Sequence, residues 1–213
     1  MGKQWKRPDK LFVPDIKQAA LVIIDMQNFA CAPIDREPLP HIGRVIKQIN
    51  LLADFCREVN IPVIWVRHNL MITDRLDNSG LFKLFHDKNH ISDTINLDKG
   101  TDIYAAMHFD SIRDHVVFKN RYSAFLSDPP ELQATLKRLK KKQLIIAGVA
   151  ANVCVESTLR DAMQLDYEVI LVSDGTTATD DILLESTLAN TYHFFGDLRT
   201  AEDIISQLSQ SEA

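Results

Sequence analysis

The sequence predicts an α/β protein: a three-layer, doubly wound, Rossmann-like and mainly parallel sheet of six strands, with helices on both faces. Three observations predict it. Apolar runs that read as buried strands alternate with segments of helical periodicity. No repeat, low-complexity stretch or Gly/Ser/Pro-rich linker interrupts that alternation, so residues 1–213 read as one domain. The 213 residues, 46% of them hydrophobic, can bury a full core without staples.

The elements follow in order. Ala19-Ala20-Leu21-Val22-Ile23-Ile24 is the first strand and ends at Asp25. A long helix runs from about Pro40 to Val59, because Ile42, Val45, Ile46, Ile49, Leu52, Ala53 and Cys56 recur at helical spacing. Pro62-Val63-Ile64-Trp65-Val66 is the second strand, and His115-Val116-Val117-Phe118 the third, ending at Lys119. Asp128-Pro129-Pro130-Glu131 reads as a helix start, with Asp128 as N-cap. Gln143-Leu144-Ile145-Ile146-Ala147 is the fourth strand, and a helical pattern begins near Asn152. Val169-Ile170-Leu171-Val172 is the fifth, a helix spans about Asp180 to Phe195, and a short sixth strand lies near Arg199-Thr200-Ala201. The polar, weakly periodic stretch from His68 to Arg113 breaks the rhythm and reads as a lid or specificity segment.

Composition narrows the function. A net charge of −5 gives no reason for general attraction to nucleic acid or membranes. The basic start, Met1 to Pro8, is not followed by the apolar stretch of a signal peptide. Three widely spaced cysteines without a CxxC pair speak against disulfide or metal-knuckle frameworks and fit a reducing cytoplasm. A small-molecule substrate is the expected partner.

The chemistry centres on Gly148-Val149-Ala150-Ala151-Asn152-Val153-Cys154-Val155-Glu156. Cys154 falls in the first helical turn after a strand, at the edge where open α/β sheets bind ligands. Helix-start amides and dipole there are expected to favour its thiolate. Asp25 and Lys119 end two other strands, and strand ends of one kind share an edge of a parallel sheet. A nucleophile, a base and a cation would then meet, as acyl transfer requires. Singly, each has a plain reading: core thiol, strand-end cap, solvated charge. Cys56 lies on an apolar helix stripe and reads as core, while Cys31 sits in a loop without an assigned role.

Three blocks resemble the isochorismatase-like cysteine hydrolases: Ala20 to Asn28 (ALVIIDMQN), Phe118 to Phe125 (FKNRYSAF) and Gly148 to Ala162 (GVAANVCVESTLRDA). The likeness covers nearly the whole chain. It implies a catalytic triad of Asp25, Lys119 and Cys154, a cis peptide between Val149 and Ala150, and an oxyanion hole from the N–H groups of Ala150 and Cys154. It also implies a homo-oligomer, and cleavage of amide bonds through a cysteine thioester. Within the superfamily the chain is most similar in look to ureidoacrylate amidohydrolases and N-carbamoyl amide hydrolases. There are departures. Ala151 stands where many members carry threonine. The Asp-x-His metal motif of nicotinamidases is absent from Val66-Arg67-His68-Asn69-Leu70, so no metal and no other cofactor is expected. His86 and His90, four apart, read as solvated histidines rather than a zinc pair. Asn28, Trp65, His68 and Tyr122 flank the strand ends and are candidate substrate-binding residues. Arg121 fits either a substrate carboxylate or a structural ion pair. Vinyl-ether hydrolysis of the isochorismatase type, or a catalytically idle binding module, are the alternatives.

Overall fold

The computed structural model describes residues 7–33, 37–69 and 100–210. Six strands, all parallel, form one sheet: β1 (Ala19–Ile24), β2 (Val63–His68), β3 (His115–Lys119), β4 (Gln143–Val149), β5 (Glu168–Thr177) and β6 (Asp197–Arg199). Their order across the sheet is β3-β2-β1-β4-β5-β6. The chain therefore builds outward from β1 on one side, then returns to build from β4 on the other. The crevice between β1 and β4 is the topological switch point where such sheets place their ligands.

β1 shows why both faces are covered. All six of its residues are buried, and their alternation sends them into two separate cores. Ala19, Leu21 and Ile23 pack with Val45, Ile49, Leu52 and Cys56 of α2 (Ile42–Glu58) and with Ile204 and Leu208 of a C-terminal helix. Ala20, Val22 and Ile24 pack on the other side. There they meet Leu132 and Leu136 of α3 (Glu131–Leu139) and Leu159 and Ala162 of α4 (Glu156–Gln164). The first helix, α1 (Asn28–Cys31), is a single turn after β1. Beyond β5 come α5 (Asp181–Asn190) and the C-terminal helix, α6 (Ala201–Gln210).

Several boundaries differ from the sequence reading, each for a local reason. β2 runs two residues further, to His68, because Arg67 and His68 pair in register with Phe118 and Lys119. β5 continues through Ser173-Asp174-Gly175 to Thr177, past an irregularity in its pairing with β4 between Ile146 and Gly148. The Asp128–Pro129 peptide is cis, and α3 starts only at Glu131, with Pro130 rather than Asp128 in the cap position. Asp180 does cap α5, accepting from Leu183 N–H at 2.9 Å, but α5 ends at Asn190 in a wide turn over Thr191–Phe195. The helix α6 was not read from the sequence. Thr200 Oγ1 accepts from Asp203 N–H, and Asp174 accepts from Ala201 N–H.

Of the His68–Arg113 segment, residues 70–99 lie outside the described residues, as do His86 and His90. Its last part is fastened to the body. Arg57 of α2 forks onto Asp114 at 2.9 and 2.7 Å, and Asn50 donates to Ala106 O and accepts from His108 N–H. No helix among the described residues is long and apolar enough to cross a membrane.

β1 and β4 approach so closely at one point that only glycine fits. Gly148 has φ +115°, and a Cβ there would stand 2.1 Å from the Ile24 carbonyl oxygen. Neither the backbone conformation nor the space suits an L side chain. Gly148→Ala is expected to lower stability by about 3 kcal/mol, read as a shift of the urea midpoint.

Candidate active site

The switch point brings the three strand-end residues together. Asp25 follows β1 in the left-handed region (φ 53°), a conformation aspartate tolerates better than most residues. Its N–H donates to Val66 O at 3.0 Å while its own carbonyl accepts from Gln27 N–H at 2.8 Å. The chain thus leaves the sheet with the carboxylate held at the edge. Lys119 is the last residue of β3, with β2 between it and β1. Neighbouring strands stand about 4.8 Å apart, and the long lysine stem spans the gap. Lys119 Nζ lies 2.8 Å from Asp25 Oδ2 and 3.2 Å from Cys154 Sγ.

Cys154 sits in a wide turn, Ala151–Val155, rather than in the first turn of a regular α-helix. The Ala150 carbonyl accepts from both Val153 and Val155 N–H, at 3.1 and 3.3 Å. The Val149–Ala150 peptide is cis, at the place the resemblance implied. Thr158 locks the turn from the α4 side. Its hydroxyl donates to Cys154 O at 2.7 Å and accepts from Ala124 N–H at 3.1 Å, tying the nucleophile turn to the loop after β3. Glu156 adds a second tie: it pairs with Arg160 as the i,i+4 spacing suggested, and accepts from Thr187 Oγ1 of α5 at 2.6 Å.

Burial decides the electrostatics. Lys119 and Asp25 are 2% and 3% exposed. Burial raises the Asp25 carboxyl above the ordinary range, against the opposing pull of the Lys119 charge and the Cys154 thiol. For Lys119, burial alone would lower the pKa, but the Asp25 carboxylate and the cysteine outweigh it and the net shift is upward. Cys154 is pushed well up, by burial first and by Asp25 second, with Lys119 opposing. Burial therefore works against the expected thiolate and favours the thiol, opposing the Lys119 charge and the helix-start field. Burial also raises Cys31 and Cys56, each to about 12. Asp25 Oδ1 is buried with no hydrogen-bond partner of good geometry among the described residues.

The remaining candidates divide. His68 is at the centre, 3% exposed, with Nδ1 3.0 Å from Lys119 Nζ. Arg121 gives its backbone carbonyl to Lys119 Nζ at 3.1 Å, and its guanidinium donates to Asn120 O. Tyr122 is half-buried near the thiol; burial, then a Cys154 charge, raises its hydroxyl pKa, with Lys119 opposing. Asn28 opens α1, its N–H donating to Asp102 O at 3.0 Å. Trp65 is not at the site. It lies in the core beside α2, its Nε1 donating to Asp114 Oδ2 at 2.8 Å and its ring edge-on to Phe109. It was placed wrongly because β2 ends three residues later than Trp65. Gln27 was missed. Wholly buried, it accepts from His68 N–H at 2.7 Å and donates to Thr101 O at 2.6 Å, so it pins the ends of β1 and β2 together. Its signal was a polar residue three positions beyond an apolar strand, within the first of the three blocks. Among the described residues, no group of three or more His, Cys, Asp or Glu is placed to hold a metal ion.

The buried pair makes stability depend on both partners. Lys119→Met leaves a carboxylate buried without its cation and is expected to cost about 3 kcal/mol. The double variant Asp25→Asn with Lys119→Met should recover much of that loss in urea denaturation. Both native pKa values are raised, so both contributions fall as pH rises: Asp25's from the ordinary carboxylate range upward, Lys119's only above the ordinary lysine range.

Comparison with known proteins fits this geometry. The chain is 31% identical over 188 residues to nicotinamidase 3 of Arabidopsis thaliana, covering 83% of this chain and 82% of that protein. It is 31% identical over 209 residues to the ureidoacrylate amidohydrolase RutB of Methylobacterium radiotolerans, covering 89% of this chain and 79% of that one. A cysteine hydrolase from Pseudomonas syringae pv. phaseolicola shares the fold, with a TM-score of 0.84 at 22% identity, over 97% of this chain and 100% of that one. The isochorismatase domain model matches residues 19–203, a span that takes in all six strands and Asp25, Lys119 and Cys154, and the chain belongs to the isochorismatase family.

Proposed function

We propose that the protein is a metal-independent cysteine hydrolase that cleaves the C–N bond of a small amide or ureido compound. The observation that carries this reading is the placement of one buried ammonium within 3.2 Å of both a carboxylate and a thiol. Relatives named for a ureido substrate and for nicotinamide support carbon–nitrogen hydrolysis as the reaction class.

The steps follow from the charges. Asp25, a stronger base than an exposed carboxylate because burial raises its pKa, takes the thiol proton as Cys154 Sγ attacks the substrate carbonyl carbon. Negative charge moves to the carbonyl oxygen, where the N–H groups of Ala150 and Cys154 receive it. The protonated Asp25 then gives its proton to the leaving nitrogen. The C–N bond breaks, and ammonia or an amine departs, leaving a thioester. Asp25 next takes a proton from water, whose oxygen attacks the thioester carbonyl, and returns that proton to the sulfur as the acid is released. Lys119 stays protonated throughout, facing the carboxylate at rest and the thiolate as it forms. Tyr122, Arg121 and Asn28 are the side chains assigned to orienting the substrate.

The deciding experiment measures ammonia release from a panel of ureides and primary amides. Cys154→Ala is expected to lose activity by about a thousandfold or more, and acid quench of the parent should trap an acyl adduct on Cys154 by mass spectrometry. Full activity in Cys154→Ala would overturn the mechanism.

A further inference from the structure

Lys119 Nζ has more acceptors than protons. Asp25 Oδ2 is at 2.8 Å, His68 Nδ1 at 3.0 Å, Arg121 O at 3.1 Å and Cys154 Sγ at 3.2 Å. An ammonium donates three hydrogen bonds at once, so one of the four acceptors is always poorly served. A neutral thiol is the weakest of them and the farthest. We propose that His68 is a positioning residue: a neutral imidazole, protonated at Nε2, whose Nδ1 holds one Lys119 proton while Cys154 is a thiol and yields it to the sulfur when the thiolate forms.

Each part rests on the local chemistry. A ring nitrogen facing an ammonium at 3.0 Å accepts only if it carries no proton, which places the ring proton on Nε2. The backbone of His68 is fixed at the end of β2, which sets where its ring stands. His68 N–H donates to Gln27 Oε1 at 2.7 Å, its carbonyl accepts from Gln27 Nε2 at 3.2 Å, and the Phe29 ring lies 6.4 Å from its own. The ionisable groups of this cluster among the described residues are Lys119 on β3, Asp25 beyond β1 and Cys154 beyond β4, with Tyr122 facing Cys154 and Lys119 and Cys31 of α1 facing Asp25. The adjacent Arg67 is engaged elsewhere, on Thr101 O and Asp102. Hydrogen bonds to ionised acceptors are about twice as strong as neutral ones, so a thiolate outcompetes the imidazole where a thiol does not. Lys119 can then follow the charge from ground state to thiolate without moving its ammonium. The imidazole supports the thiol form of the resting site.

This inference rests on Cys154 being the nucleophile of the proposed reaction, but its test needs no substrate. The pH dependence of Cys154 alkylation by iodoacetamide would be followed by mass spectrometry in the parent and two variants. His68→Leu removes the competing acceptor, leaving the ammonium to the sulfur, and should move the onset of alkylation about one pH unit lower. His68→Asn places an amide oxygen near the position of Nδ1 and should restore the parent onset. In the parent, ¹⁵N shifts of the His68 ring should report a neutral Nε2–H tautomer. An unchanged or raised onset in His68→Leu, no rescue in a folded His68→Asn, or an Nδ1–H or doubly protonated ring would each overturn the proposal. Absence of amide hydrolysis in the parent, with the expected onsets, would instead fault the reaction assigned above and leave the role of His68 intact.

Discussion

The buried contact between Lys119 and Asp25 sets the terms for everything else at the strand ends. Two opposite charges out of water attract strongly, yet each has lost its hydration, and the balance is favourable only if further donors and acceptors complete them. Lys119 Nζ meets that demand with an imidazole nitrogen, a backbone carbonyl and a sulfur in addition to the carboxylate. Asp25 is less fully served, with Oδ1 left without a well-placed partner. A buried acceptor of that kind is costly in a core and useful in a site, because it is an oxygen ready to receive a proton. The cation favours the ionised carboxylate, while burial raises its basicity.

The sheet exists, in functional terms, to hold this cluster without letting it relax. Asp25 and the nucleophile turn rise from β1 and β4 on the two sides of the switch point, where Gly148 lets the strands approach to backbone contact. Lys119 arrives from two strands away. Gln27 joins the ends of β1 and β2, and Thr158 joins the nucleophile turn to the loop beyond β3. No one of these bonds contributes more than about 1–2 kcal/mol. Together they make the separation of carboxylate, ammonium and sulfur a property of the fold rather than of loop conformation.

The succession of strands along the chain and the meeting of Asp25, Lys119 and Cys154 were legible in the sequence because each depends on a local pattern: an apolar run, then a polar residue where the run stops. Where the pattern was ambiguous, the reading failed by a few residues, and the consequences were specific. Ending β2 at Val66 put Trp65 near the edge; ending it at His68 buries Trp65 beside α2 and brings His68 onto Lys119. The roles of Gln27 and Thr158 were not legible at all, since they depend on partners 41 and 34 residues away. Nor was the state of the thiol. Position at a helix start argues for thiolate, and only the degree of burial reverses it.

That reversal shapes the chemistry. A permanently ionised cysteine would react with any electrophile that reached it, and its resting charge would compete with Asp25 for the lysine. A buried thiol flanked by a raised carboxylate avoids both. Proton transfer to Asp25 exchanges the carboxylate for a buried thiolate beside the same ammonium, and burial makes that thiolate costly when no electrophile is present. The substrate carbonyl removes that obstacle by taking the negative charge onto its own oxygen, away from Asp25. On this argument selectivity comes before reactivity: the nucleophile becomes one only when the group it attacks is already in place.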